Sequence, residues 1–380
     1  MNIPHAFFKR KHCLCVLIFV TLFSLCLSSC QFSPFLEEQD TAPLNTDDTP
    51  KGEQLGAPSD TEAQSDTKNP YAPTTAYRHP LTGVPATESQ ASVRPVAVSI
   101  GNTASALPQY GLSYASVLIE APVEGGSTRL LALCCEYASV PCFGSVRSTR
   151  DYLEVLCASY DAISVHAGTS DNGDITPYKK CDSLDYISQN LKDTFYRDPS
   201  RTSPHNLMTS GELLSLTLSE TGYRQTSTGA LPYLIAPQDA SVTERPYKAE
   251  SIDIPFSSLQ RVSFRYDEAT GLYLRTQNDS PHVDAATKRQ LSYRNVILMF
   301  TNSVASTLAS GEASLSLDLH GEGEAVFCCD GLVTSAVWKR DAETGKITFF
   351  TTNGEVLSVN VGTTYIGVVR TASMSSVAIG

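Results

Sequence analysis

From Gln31 to about Arg78 the chain has almost nothing to bury. After Leu36 its larger aliphatic residues are Leu44 and Leu55, set among Pro34, Pro43, Pro50, Pro58, Pro70 and Pro73 and a run of acids from Glu37 to Asp66. Such a stretch cannot offset the entropy of its own ordering. The fold must therefore be built from residue 79 onward, leaving about 300 residues for two domains or one large one. The acidic stretch itself reads as an extended tether, spanning about 35–40 Å when relaxed.

Ahead of it, Lys9-Arg10-Lys11 precede the apolar run Cys13–Leu27, which ends in Leu27-Ser28-Ser29-Cys30. A basic start, a short apolar core and small residues before a cut describe a secretory signal. The run is shorter than the roughly 20 residues needed to cross a bilayer. A cysteine directly after the small pair resembles a bacterial lipoprotein signal with its lipobox. The resemblance implies a signal peptide over 1–29, cleavage before Cys30, a diacylglyceryl thioether on its sulfur, and a place on the extracytoplasmic face of the cell membrane. The formal charge is −12, and loss of the three basic residues with the signal makes the mature chain more acidic. That balance excludes nucleic acid as a general partner. It also leaves membrane attachment to the lipid rather than to electrostatic adhesion.

Beyond Cys30 the cysteines are Cys134, Cys135, Cys142, Cys157, Cys181, Cys328 and Cys329, an odd set that leaves at least one unpaired. Adjacent cysteines on a strand point to opposite faces, so Cys134-Cys135 and Cys328-Cys329 fit a four-thiolate zinc site poorly. Buried small apolar cysteines are the expected state, a disulfide among Cys134, Cys135 and Cys142 stays open, and no metal or cofactor is expected.

Residues 95–100, 117–120 and 129–135 read as buried strands, with Glu124-Gly125-Gly126 in the loop between the last two. Tyr152, Val155, Leu156 and Tyr160 follow a helical period over 151–160, behind a Ser148-x-x-Asp151 capping pattern, and 162–167 returns to strand. Thr209-x-x-Glu212 opens a second helix. This alternation predicts an α/β domain over 79–240. From about 255 the pattern shifts to period two: a hairpin at 262–266 and 272–276, then short strands at 295–300, 315–319, 325–328, 333–338, 347–350, 356–359 and 364–369. A β-rich domain is expected over 241–380, giving an α+β chain overall.

One ordered series of motifs runs through both parts. It comprises His79-Pro80-Leu81-Thr82-Gly83, Arg94-Pro95-Val96-Ala97-Val98, Glu120 through Arg129, Gly144 through Tyr152, Val165-His166-Ala167-Gly168, and Phe195-Tyr196-Arg197 through Asn206-Leu207. It continues with Thr270-Gly271-Leu272-Tyr273, Pro281-His282-Val283-Asp284, Gly321 through Ala325 and Val337-Trp338-Lys339. The order and spacing resemble the YerB-like lipoproteins of Gram-positive bacteria (the DUF3048 family) over about 79–370. The resemblance implies a two-domain extracytoplasmic lipoprotein and no established activity. Two positions depart from the pattern: Gly101 stands where an Asp is expected before Asn102, and Thr169 where a Gly is expected after Gly168.

The chemistry must come from residues. In Gly144–Asp151, Arg147, Ser148, Arg150 and Asp151 lie in a loop feeding a helix N-terminus, where free N–H groups and the helix dipole favour an anion. Arginine forks suit phosphate or carboxylate. The competing reading has Ser148 capping the helix and the arginines paired with Glu120, Glu124 or Asp151. His166 ends a buried strand next to Gly168, and His205-Asn206 follows Arg197 and Arg201. With Glu124 and Arg129, these groups are candidates for one Arg/His cleft. No nucleophile, metal or nucleotide motif is present. The expected function is a lipid-anchored envelope protein holding an anionic ligand, such as peptidoglycan or another anionic wall component. The alternative is an envelope hydrolase or transferase acting on a wall glycan, peptide or phosphodiester, with His166 and His205 as acid–base groups.

Overall fold

The computed structural model describes residues 77–169, 181–236, 247–308 and 310–380. The expected signal peptide, Cys30 and the tether up to residue 76 lie outside the described residues. The first half contributes strands β1 (Val96–Gly101), β2 (Val117–Pro122) and β3 (Thr128–Cys134), helix α1 (Asp151–Ser159), strands β4 (Ile163–His166) and β5 (Ser183–Asp185), and helix α2 (Gly211–Thr221). The second half adds β6 (Tyr247–Lys248), β7 (Ser251–Pro255), β8 (Arg261–Asp267), β9 (Leu272–Gln277), β10 (Asn295–Thr301), β11 (Glu322–Cys329), β12 (Leu332–Arg340), β13 (Ile347–Thr351) and β14 (Thr364–Arg370).

Every residue of β1, β2 and β3 is buried, as expected for apolar strands covered on both faces. Alternation assigns the faces. Val96, Val98, Leu118, Leu130 and Ala132 enter one core with Ile254, Val262, Phe264 and Tyr273 of β7–β9. Ala97, Ile119, Leu131 and Leu133 enter the other, with Tyr152, Leu153 and Leu156 of α1 and with Trp338. The large sheet is thus the middle layer between α1 and a smaller antiparallel sheet built on β7–β8–β9.

That middle sheet has eleven strands in the order β6-β12-β11-β10-β14-β2-β3-β1-β4-β5, with β13 beside β12. Strands from both halves of the chain share it. The seam is β14, which runs parallel to β2 from Val117↔Thr364 and parallel to β10 from Asn295↔Thr364. Two helix starts differ from expectation. Ser148 does not cap α1, whose N-cap residue is Arg150 with no side-chain cap bond. Ser210, not Thr209, caps α2 and accepts from Leu213 N. Thr209 ends a buried strand, and its hydroxyl donates to Thr194 O at 2.7 Å.

A polar cluster fixes β2 of the middle sheet against β9 of the smaller one. Glu120 and Arg275, both fully buried, meet at 2.7 Å. Tyr365 donates to the same carboxylate at 2.9 Å, as do Thr128 at 2.6 Å and Asn102 at 3.0 Å. Burial acts against the Arg275 guanidinium, but the charge and hydrogen bond of Glu120 together with the neighbouring Tyr365 and Tyr293 offset this and raise its pKa. Arg275 also meets His282, which reaches Gln109 at 2.9 Å. His282 is therefore part of this structural cluster. Trp338 is core, its indole N–H donating to Phe300 O at 2.8 Å. The seven cysteines among the described residues are free thiols.

Candidate functional site

Arg129 is the second residue of β3 and faces the α1 side of the sheet with Leu131 and Leu133. Its cross-strand partners are Gly101 on β1, which offers no side chain, and Ala121 on β2, which offers only a methyl group. Arg129 is only 6% exposed, and among the described residues its guanidinium makes no hydrogen bond or ion pair. Burial, followed by the neighbouring Arg150 and Arg147 charges, lowers its pKa to about 9, so it keeps its charge at neutral pH. An unpaired buried charge costs several kcal/mol, on the order of 3–5.

Arg147 lies over Gly101: a Cβ at Gly101 would stand 2.9 Å from Arg147 Cγ and 3.4 Å from Ser145 Oγ. The Arg147 Nη1 group donates only to Pro204 O, at 2.9 Å. Burial, then the Arg150 and Arg197 charges, lowers its pKa. The Ser145 hydroxyl is fully buried and has no partner among the described residues.

Arg150 is engaged. Its Nη2 meets Glu124 Oε2 at 2.6 Å, its Nε donates to both Glu124 oxygens at 3.1 Å, and its Nη1 donates to Ser148 Oγ at 2.9 Å. Glu124 sits in the β2–β3 turn, where Gly125 and Gly126 have φ of 70° and 76°. Those left-handed conformations favour glycine. Glu124 also accepts from Leu315 N at 3.2 Å. Burial works against the Glu124 carboxylate, but the Arg150 hydrogen bonds and charge hold it below its usual range. Asp151 accepts from Tyr152 N at 2.8 Å, and burial raises its pKa.

His205 faces the arginines. Its Nδ1 is buried without a partner, and burial, then the charges of Arg147, Arg201 and Arg129, lower its pKa. Arg197 donates to Asn206 Oδ1 at 2.7 Å and lies 5.8 Å over the Tyr186 ring. His166 belongs to a different cluster. Its Nδ1 is 3.0 Å from Gly168 O and 3.6 Å from Asp185 Oδ1, and no contact links it to His205 among the described residues. The Asp185 carboxylate also accepts from Gly168 N at 2.6 Å and from the Ser188 hydroxyl at 2.6 Å.

The structure thus brings together Arg129, Arg147, Arg150, Glu124, Ser148 and His205, with Arg197 bonded to Asn206 nearby. It leaves the His166 ring at the end of β4 with Gly168 and Asp185, although the backbone there pairs with the arginine loop through Ala167 N to Arg147 O at 3.1 Å. Gly101, Ser145 and the Pro204 carbonyl join the site without having been expected there. Only the strand register, which sets Gly101 opposite Arg129, could have revealed the first. Among the described residues no group of three or more His, Cys, Asp or Glu side chains could hold a metal ion.

Residues 81–224 match the family model described as "Protein of unknown function (DUF3048) N-terminal domain", and residues 252–366 match its C-terminal domain. The chain is 28% identical over 305 residues to the protein named "Putative lipoprotein YerB" of Bacillus subtilis (strain 168), covering 79% of this chain and 88% of that protein. The crystal structure of the YerB protein from Bacillus subtilis superposes with a TM-score of 0.69 at 24% identity, over 80% of this chain and 99% of that one. This establishes a shared fold. The matched motifs, both domain models and the common architecture agree: the chain belongs to the DUF3048 family.

Proposed function

We propose that this chain is a membrane-anchored lipoprotein, lipidated at Cys30, that binds an anionic ligand of the cell envelope between Arg129, Arg147 and His205. The anchor is supported by the lipobox-like Leu27-Ser28-Ser29-Cys30 and by the lipoprotein name of its relative. The binding reading rests on one observation above all: Arg129 is buried and unpaired. Buried charges are normally partnered, and an anion entering beside Arg129 and Arg147 supplies the missing partner. Arg150 already has its carboxylate in Glu124, so this neutral pair serves as a fixed wall of the site beside the N-terminus of α1.

The acid–base alternative draws no comparable support. Glu124 is occupied by Arg150, and His166 is bonded to Gly168 O. Glu124 is thereby unavailable to a histidine. His166 Nδ1 lies 3.6 Å from Asp185 Oδ1 and its Nε2 is buried and unpartnered, but among the described residues no side-chain contact joins this pair to the arginines or to His205. The test is calorimetric titration of the full-length protein in nonionic detergent with inorganic phosphate and sulfate. Binding that weakens roughly tenfold or more in Arg147→Ala is expected, because a charge-assisted hydrogen bond is lost. An Arg147→Ala protein that binds as well as the parent contradicts the assignment.

A further inference from the structure

Beside the arginines lies a groove of about 720 Å³ whose walls are the loops 105–110 and 198–205. Arg201 builds it. Its Nε donates to His205 O at 2.9 Å, its Nη1 to Pro108 O at 2.9 Å and its Nη2 to Ala106 O at 2.6 Å. All three guanidinium nitrogens are thus used in strapping one loop to the other, and the groove is preformed rather than dependent on a ligand to shape it.

The groove, which Arg129 and Arg147 do not themselves line, adjoins the arginine cluster. Pro204 and His205 line the groove, and Pro204 O is also the acceptor of Arg147 Nη1. A Cβ at Gly101 would touch Arg147 Cγ and, at 3.3 Å, Ala106 Cβ, so Arg147 packs at the foot of the 105–110 loop. The His205 ring presents a buried, unpartnered Nδ1 at the junction.

The lining is rich in hydroxyls. Ser105, Tyr110, Thr202 and Ser203 line it, and their side chains have no hydrogen bonds among the described residues. Asp198 Oδ1 accepts from the Ser200 hydroxyl at 2.6 Å and the Ser200 N–H at 2.9 Å, leaving its second oxygen open as an acceptor. Hydroxyl groups that both donate and accept, one free carboxylate oxygen and one tyrosine ring together suit a chain of alcohols. Leu107, Pro108 and Pro204 line the groove beside them and offer apolar surface to the carbon skeleton of such a ligand.

Charge selects the other end. Arg129 and Arg147 both lack carboxylate partners, so the site carries two uncompensated positive charges. A planar carboxylate satisfies one fork, as Glu124 does on Arg150. A tetrahedral phosphoryl group offers oxygens in several directions and up to two negative charges.

Resting on the anion-binding reading above, we infer that the ligand is a phosphate ester of a polyol or sugar, its phosphoryl group between Arg129 and Arg147 and its hydroxylated part in the groove beside His205.

The test is calorimetry on the full-length protein in nonionic detergent with inorganic phosphate, succinate, glycerol and glycerol 3-phosphate. Glycerol 3-phosphate is expected to bind about tenfold more tightly than inorganic phosphate, the gain of one to two net hydrogen bonds, with succinate weaker than both and glycerol alone silent. The volume-conserving pair Tyr110→Phe with Asp198→Asn should cost glycerol 3-phosphate most of that advantage. Circular dichroism on the variant checks that it is folded, and Thr202→Val provides an independent loss of one hydroxyl. Equal affinity for phosphate and glycerol 3-phosphate in the parent overturns this inference and leaves the anion site standing. Succinate binding as tightly as phosphate overturns the phosphoryl assignment. Failure of every anion to bind overturns the anion site and this inference together.

Discussion

At the scale of single residues, the site is defined by what is missing. Gly101 presents no side chain to Arg129, Ser145 has no partner, and Arg147 has only a carbonyl. Arginine, histidine and serine in a loop before a helix were legible from order alone. The unpaired state of Arg129 was not, because it depends on a cross-strand register that one sequence does not display. Ser148 was misread for a related reason: its hydroxyl is drawn to Arg150 Nη1 and so is not available to the helix N-terminus. His205 gives the site a pH dependence. Its pKa lies below the usual 6.5, mainly through burial and then through the nearby arginine charges, so it is neutral at pH 7 and gains a proton only in mild acid. Protonation adds a cation at the anion, and a bound anion favours that protonation. Sulfate, whose charge is constant over this range, should bind with flat affinity from pH 8 to 7 and more tightly as the pH falls through the lowered pKa of His205. Glu124, held below its usual range, stays ionised there and keeps Arg150 engaged. The rise should vanish in His205→Gln. A flat profile in the parent protein excludes His205 from the site.

At the scale of elements, the strands with continuous apolar runs and the helix over Asp151–Ser159 were readable, because burial on both faces and a 3.6 period leave direct marks. The strand Ser303–Thr307, paired with Ala313–Leu317, was missed. Four of its five residues are exposed, and Ser-Val-Ala-Ser-Thr carries little apolar alternation. The expected 356–359 strand reduces to Ser358–Val359, paired in parallel with Leu234–Ile235. Glu120 illustrates the limit from the other side. The loop sequence offers it as a partner for an arginine of 144–151, whereas it is fully buried against Arg275 from the second half. Glu120→Gln leaves Arg275 charged, buried and without its counterion, so it should destabilise the protein by about 3–5 kcal/mol in urea denaturation. Adding Arg275→Met should recover most of that loss. A single Glu120→Gln variant as stable as the parent contradicts the role given to this pair.

For the whole molecule, the two family domains share one sheet. The sequence marked where helix-period residues give way to alternating ones. It could not show that β14, near the C-terminal end, runs beside β2 of the first half, since strand neighbours distant in sequence leave no local trace. With β14 hydrogen-bonded to strands from both halves, neither half keeps its sheet when the other opens. Trp338 fluorescence reports the second half, and labelling of the buried Cys157 thiol reports the first. Both should give the same urea midpoint. Two separated midpoints contradict the shared-sheet description.

The claim on which the function rests is that Arg129 is held buried and unpaired for a ligand. Arg129→Met removes the charge at similar length. The most direct measurement follows this variant by urea denaturation without ligand and by calorimetry with inorganic phosphate. Relief of an uncompensated buried cation predicts a gain in stability of about 1–4 kcal/mol, together with loss of phosphate binding by tenfold or more. A variant that is less stable than the parent and binds phosphate unchanged would mean that Arg129 serves the fold and not a ligand.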